Sequence, residues 1–162
     1  MRIERARAAD APAVEAERPV RIERARAADA PAVEALLTAA GLPVEGAAAA
    51  LAAGVVARDG AALVGAAAVE RFDDAGLLRS VVVAPDHRGS GLGRRLVEAA
   101  EAIARDEGVR DLYLVTETAI DWFPRLGYTP VARDEAVPSV GASIEFTMAC
   151  SVTGVVMRRS LA

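Results

Sequence analysis

Val81-Val82-Val83-Ala84-Pro85-Asp86-His87-Arg88-Gly89-Ser90-Gly91-Leu92-Gly93-Arg94 is the stretch on which the reading of this chain turns. Three β-branched residues predict a buried strand, Pro85 ends it, and the glycines open a long helix. Glycines at 89, 91 and 93 let successive backbone N–H groups converge on one concavity with no Cβ in the way. The helix start adds about half a positive charge. This combination predicts a pyrophosphate cradle over Arg88, Gly89, Ser90, Gly91, Leu92, Gly93 and Arg94, with the two arginines placed for bidentate pairing to phosphate oxygens. A dinucleotide fingerprint would require glycine at 94, so that match fails. The alternative is a plain turn between strand and helix.

Outward from this stretch, Gly91–Glu107 carries Leu92, Leu96, Val97, Ala100, Ile103 and Ala104 on one face and stops at Gly108, the signature of an amphipathic helix. Upstream, Val55–Arg58 and Ala61–Arg71 are joined at Asp59-Gly60, a hairpin dipeptide, and a second turn at Asp73-Asp74-Ala75-Gly76 leads into Leu77–Ala84. Three antiparallel strands therefore feed the glycine loop. Val20–Ala25 reads as a first strand, Asp29–Ala40 as a helix with Asp29 as N-cap, and Val44–Ala53 as a weaker alanine-rich helix. Downstream, Val109–Thr116 is a strand, Ala119–Leu126 a short helix, and Tyr128–Ala132 and Thr153–Leu161 are strands. Residues 137–149 show no decisive period. The fold class is α/β (α+β), a mixed and mostly antiparallel sheet with helices on both faces.

Residues 2–16 recur letter for letter at 21–35. Only the second copy runs on into Leu36 and Leu37, which complete a helix face; the first meets Pro19. Residues 1–19 are thus expected to be a dispensable extension and 20–162 the domain, with donation of an identical strand to a neighbouring subunit as the alternative.

The chain has 162 residues, 53% of them apolar, enough for a single core. A net charge of −4 argues against a nucleic-acid footprint. All 19 basic residues are arginine, which excludes Schiff-base lysines and a P-loop. One cysteine, Cys150, excludes an internal disulfide framework and suits a reducing compartment. No apolar leader or span is evident, so a cytoplasmic protein without membrane or nucleic-acid partners is expected, and no metal is called for.

The Arg-x-x-Gly-x-Gly spacing behind a valine-rich strand and Pro85 resembles the pyrophosphate motif of the GCN5-related N-acetyltransferase (GNAT) superfamily. Trp122-Phe123-Pro124-Arg125-Leu126-Gly127-Tyr128 is similar to its second signature. The resemblance covers Val20 to Leu161. It implies acetyl-CoA as co-substrate, a sheet splayed between strands 4 and 5, and a bulged strand Val81, Val82, Val83 whose backbone pairs the pantetheine arm and steadies the reacting carbonyl. It also implies Trp122 and Phe123 beside the cofactor, a small-molecule amine as acceptor, and homodimers, in which relatives often occur. Leu78-Arg79-Ser80 with Glu145-Phe146, Cys150 and Met157 further resembles the arsenic-resistance N-acetyltransferase branch, which would make an arsenical amine an acceptor.

The chain departs from the family at Phe123, where many relatives carry a tyrosine that protonates the leaving thiolate; water, Tyr113 or Tyr128 remain as substitutes, Tyr128 reading first as a packing residue. Glu70 and Glu117, near strand ends, are the candidate bases, though either can be a solvated charge. Arg79, mid-strand, needs a partner: an anionic group on the acceptor or an internal salt bridge with Glu70. His87 reads as an inert residue in an exposed turn, and Cys150 as a core thiol. Besides acetyl transfer to a small amine, the sequence leaves open an acyl-CoA sensor without turnover and a protein N-terminal acetyltransferase.

Overall fold

In a computed structural model, which describes residues 19–136, 138–147 and 154–162, the alternating pattern becomes a seven-stranded sheet. Its strands are β1 (Arg21–Arg24), β2 (Val55–Asp59), β3 (Ala62–Phe72), β4 (Ala75–Val83), β5 (Asp111–Thr116), β6 (Thr129–Val131) and β7 (Val155–Ser160). They lie in the order β1-β2-β3-β4-β5-β7-β6. Only β4 and β5 run parallel; the other neighbours are antiparallel. Helices α1 (Ala30–Ala39), α2 (Ala47–Ala50), α3 (Leu92–Asp106) and α4 (Pro138–Thr147) cover the two faces.

Strand alternation assigns each side chain to a face. Val55, Ala57, Leu78, Leu112, Leu114 and Met157 point to one side, where α3 buries Leu92, Leu96, Val97, Ala100 and Ala104 against them. Full burial of each leucine or valine stabilises by roughly 2 kcal/mol as an upper estimate. The opposite side is shared. Val56, Ala66 and Val82 take Val33 and Leu37 of α1 and Ala47 of α2, while Leu77, Tyr113 and Val156 take Val140 of α4.

Two irregularities shape the centre. On β4, Arg79 pairs with Ala68 and Val82 with Ala66, so Ser80 and Val81 together face the single residue Ala67. Ser80 holds this bulge with φ of 58°, unusual for a residue with a side chain. The second is the parallel ladder of β4 and β5, which has three rungs, Ala75–Asp111, Gly76–Leu112 and Leu77–Tyr113, and then stops. Beyond Leu77 the strands part, which is the splay expected between strands 4 and 5.

Several boundaries differ from the sequence reading. The alanine-rich helix shrinks to Ala47–Ala50 plus a 3-10 turn, since Gly46 enters it in a left-handed conformation and Gly54 leaves it extended. In place of a helix from Ala119, only Phe123–Leu126 forms a 3-10 turn, because the Thr116 hydroxyl accepts the Ala119 N–H in a local turn and Pro124 begins a new one. Asp29 does not cap α1 with its side chain. Its carboxylate instead accepts the Arg26 N–H at 2.8 Å and the Arg58 guanidinium at 2.8 and 2.9 Å. Residues 138–147, without a decisive period, are helical as α4. Residues 1–18 of the expected extension at 1–19 lie outside the described residues, as does Cys150.

Candidate active site

The cradle forms where the valine strand leaves the sheet. Pro85–His87 make a 3-10 turn, Gly89 and Gly91 both adopt φ of 81°, and α3 begins at Leu92. A Cβ added at Gly89 or Gly91 would meet no atom within 4 Å, so the concavity they line is open. Gly93 is tight for a different reason. A Cβ there would lie 3.2 Å from Trp122 Cζ2 and 3.7 Å from Val83 Cγ2, so its absence lets Trp122 and the end of β4 close on the start of α3. Leu92 contributes backbone only, its side chain being buried in the core.

The arginines at the cradle are engaged within the chain. Arg88 Nε donates to the Val83 carbonyl at 3.0 Å, and Arg94, exposed, lies 3.8 Å from Glu98 and donates to the Arg125 carbonyl at 3.4 Å. Ser90 Oγ donates to the His87 carbonyl at 2.6 Å. His87 is not in a freely exposed turn: its Nε2 lies 3.0 Å from Asp59 Oδ2, which ties the cradle to the β2–β3 hairpin.

On the opposite side of the sheet a polar cluster lies beside the fork. Glu70 is the rung partner of Leu77, the last residue of β4 joined to β5. Arg79, two residues on, is 92% buried by side chain and sends Nη1 to Glu70 Oε1 at 3.3 Å. Its Nη2 donates to the Glu45 carbonyl in the α1–α2 connection, and its Nε is buried without a partner. Ser143 of α4 donates to the same Glu70 oxygen at 2.7 Å. The anticipated Arg79–Glu70 salt bridge is therefore present. Glu117 is exposed just past the end of β5, and Tyr113, buried, stands at the fork on the Glu70 side. The structure thus gathers Glu70 and Arg79 off the face that carries α3, and leaves Glu117 exposed one residue past the end of β5.

Residues 51–130 match the family described as acetyltransferase (GNAT) domain. The chain carries a GNAT domain. Amino-acid acetyltransferase of Salmonella typhi is 43% identical to it over 56 residues, 35% of this chain and 13% of that protein. N-alpha-acetyltransferase 80 of Mus musculus is 48% identical over 52 residues, 32% of this chain and 17% of that protein. Among solved structures, N-acetylglutamate synthase from Neisseria gonorrhoeae complexed with coenzyme A and N-acetyl-glutamate has a TM-score of 0.78 at 22% identity, covering 90% of this chain and 36% of that one. Rv2747 from Mycobacterium tuberculosis in complex with CoA and NLQ reaches 0.71 at 22% identity, covering 88% and 99%. The matched part is thus a small fraction of the amino-acid acetyltransferases and about a third of the synthase, and likeness at this identity speaks for the fold.

Within the GNAT domain the aromatic signature forms a ladder. Trp122 and Phe123 meet edge to face at 4.9 Å between centroids, and Phe123 and Tyr128 at 5.7 Å. Phe123 is buried among the α3 contacts. Tyr128 ends the ladder with its hydroxyl donated to Glu101 Oε2 at 2.7 Å, and Arg159 Nη1 reaches both oxygens of Glu101 at 2.9 and 3.0 Å. Burial, reinforced by the Glu101 carboxylate, pushes the Tyr128 phenol above its ordinary range, and the geometry matches the reading of Tyr128 as a packing residue. Glu101 and Ser143 escaped the sequence reading. Glu101 falls inside the apolar stripe of α3, where a carboxylate one residue after Ala100 was itself the available signal of a buried partner; for Ser143 the sequence offered none.

Proposed function

We propose that this protein transfers the acetyl group of acetyl-CoA to the primary amine of a small, amino-acid-like molecule that also carries an anionic group. The observation that carries this reading is the open nest at the start of α3, standing at the end of a bulged strand that leaves its parallel neighbour after three rungs. The nest suits a pyrophosphate: two glycines in left-handed conformation with open space where a Cβ would stand, and a helix of 15 residues behind them. In this reading Val81, Val82 and Val83 offer backbone to the pantetheine arm, residues 88–94 hold the pyrophosphate, and Trp122 and Phe123 wall the cofactor side.

Acetyl-CoA supplies an activated acyl thioester. Ser80 and Val81 have no rung of their own to β3, and in this reading the backbone N–H groups of the bulge steady the carbonyl oxygen as charge builds there. Glu70 is the base that takes the proton from the amine, directly or through one water. Arg79 fixes an anionic group of the acceptor beside it, and Glu117, exposed just past the end of β5, draws in the ammonium form. A new C–N bond forms as the C–S bond breaks. Sulfur leaves as a thiolate, a tolerable leaving group with a conjugate acid of pKa about 8.5, and takes its proton from water. Phe123 in the usual place of a tyrosine is compatible with that route.

Calorimetry with acetyl-CoA tests the reading. The intact chain is expected to bind, and Gly91→Asp, which places a carboxylate at a left-handed position in the nest, to weaken binding by at least tenfold, about 1.4 kcal/mol. Absence of binding by the intact chain would overturn the cofactor site. Transfer is then measured on L-glutamate, L-aspartate, an amino-bearing arsenical and a peptide amine. Binding with no turnover of any of them would favour an acyl-CoA sensor, and turnover of the peptide alone an N-terminal acetyltransferase.

A further inference from the structure

We propose that Ser143 of α4 is a positioning residue for Glu70, holding its carboxylate so that one oxygen stays free for the acceptor amine; the proposal rests on the reading of Glu70 as the base. The case begins with which oxygen is used. Ser143 Oγ donates to Glu70 Oε1 at 2.7 Å, and Arg79 Nη1 reaches the same Oε1 at 3.3 Å. Among the described residues both donors fall on Oε1 and none on Oε2.

That pattern is not what an arginine beside a carboxylate adopts by default. Two parallel N–H bonds to both oxygens are the favoured arrangement, and the carboxylate torsion of glutamate is soft enough to reach it. Arg79 cannot adjust in its place, because it is 92% buried and tied by Nη2 to the Glu45 carbonyl. The short bond from Ser143 therefore decides the rotation of the carboxylate. It keeps the contact to Arg79 single and long, and leaves Oε2 unclaimed on a side chain that is 28% exposed. A base oriented by a neighbouring hydrogen bond, with its proton-accepting atom left open, follows the logic by which a third group orients the base of a nucleophilic triad.

The fold keeps Ser143 in place. Val140, three residues earlier on the same helix face, is fully buried against Leu77, Tyr113 and Val156. The helix is therefore anchored on the two strands that meet at the fork, and the hydroxyl comes to Glu70 from outside the sheet.

The test uses Ser143→Ala and Ser143→Thr, each in the intact chain and in Glu70→Gln. In a crystal structure of Ser143→Ala, the Glu70 carboxylate is expected to turn so that both oxygens face Arg79 within about 3.2 Å. A carboxylate that stays as it is would overturn the proposal, whatever the acceptor proves to be. With acetyl-CoA and L-glutamate, Ser143→Ala should lower kcat about tenfold with acetyl-CoA affinity unchanged, since a factor of ten corresponds to 1.36 kcal/mol, the scale of one hydrogen bond. Threonine should restore most of the loss. In the Glu70→Gln background Ser143→Ala should cost nothing further. Equal losses in both backgrounds, or a loss that follows melting temperature and is not rescued by threonine, would show a structural role only. If Glu70→Gln itself keeps full kcat, the base reading fails, an outcome distinct from an inactive Glu70→Gln with an additive Ser143→Ala.

Discussion

Two clusters in this molecule are built from the same three groups, a glutamate, an arginine and a hydroxyl, and they are used in opposite ways. In Glu101–Arg159–Tyr128 the carboxylate is 4% exposed and both of its oxygens are bonded. In Glu70–Arg79–Ser143 the carboxylate is 28% exposed and both donors share one oxygen. The difference follows from where each stands. Glu101 faces the core between α3, Tyr128 and β7, where every unmade bond carries a desolvation cost of about 1–3 kcal/mol. Glu70 sits beside the fork, where water or an amine can meet the open oxygen. Full satisfaction suits the structural part of the first cluster, and incomplete satisfaction is what the proposed role of Glu70 as the base requires of the second.

Glu101→Ala should break that contrast hardest. It leaves the Arg159 cation and the Tyr128 hydroxyl without their acceptor and should cost about 3 kcal/mol in denaturant unfolding; a loss below about 1 kcal/mol would mean that Arg159 simply turns to solvent. Glu70→Gln is the mirror experiment. It should lower kcat by about a hundredfold or more while unfolding and acetyl-CoA affinity stay near those of the intact chain. If the two variants exchange phenotypes, the distinction between the clusters is wrong. Arg79→Lys sharpens the comparison at a smaller scale. A lysine keeps the charge and loses the fork, so KM for L-glutamate should rise about tenfold with little change for an acceptor lacking an anionic group; equal effects on both acceptors would confine Arg79 to the salt bridge.

Most of the architecture was legible because its signals are local. Three valines, Pro85 and the spaced glycines define the strand, the loop and α3 within a single window, and Asp59-Gly60 places the hairpin. The splay was carried by family resemblance, and the bulge beneath it depends on one serine, Ser80, holding a left-handed backbone that its type does not announce. The second face was harder to read. α4 mixes Gly141, Val140 and two serines without a helical stripe, and Val140 is fully buried against the sheet, so tertiary contact and not periodicity makes it a helix. Ser143 was invisible for that reason. Arg79 and Glu70 could be nominated as partners because an arginine in an apolar strand requires an anion, but which oxygen it touches is a matter of three-dimensional placement.

The smallest expected effect isolates the Tyr128 hydroxyl. Its loss in Tyr128→Phe removes one bond to Glu101, while Arg159 still reaches both oxygens, so about 1 kcal/mol should be lost near neutral pH. The pH dependence is the more telling measurement. Burial, then the bond to Glu101, raises the phenol above its ordinary range in the folded protein, whereas in the unfolded chain it ionises near pH 10. Below about pH 10 the phenol is protonated in both states and its contribution is present in full. As the pH climbs past that point the unfolded chain releases the proton and the folded protein holds it, so stability falls by up to about 1.4 kcal/mol per pH unit for this one group. Chemical unfolding followed from pH 8 to 11 should therefore show a steeper alkaline decline in the intact chain than in Tyr128→Phe, with the two curves converging as the pH rises. Parallel curves would mean that the phenol reaches solvent in the folded protein, and Tyr128 would then return as a candidate proton donor to the leaving thiolate.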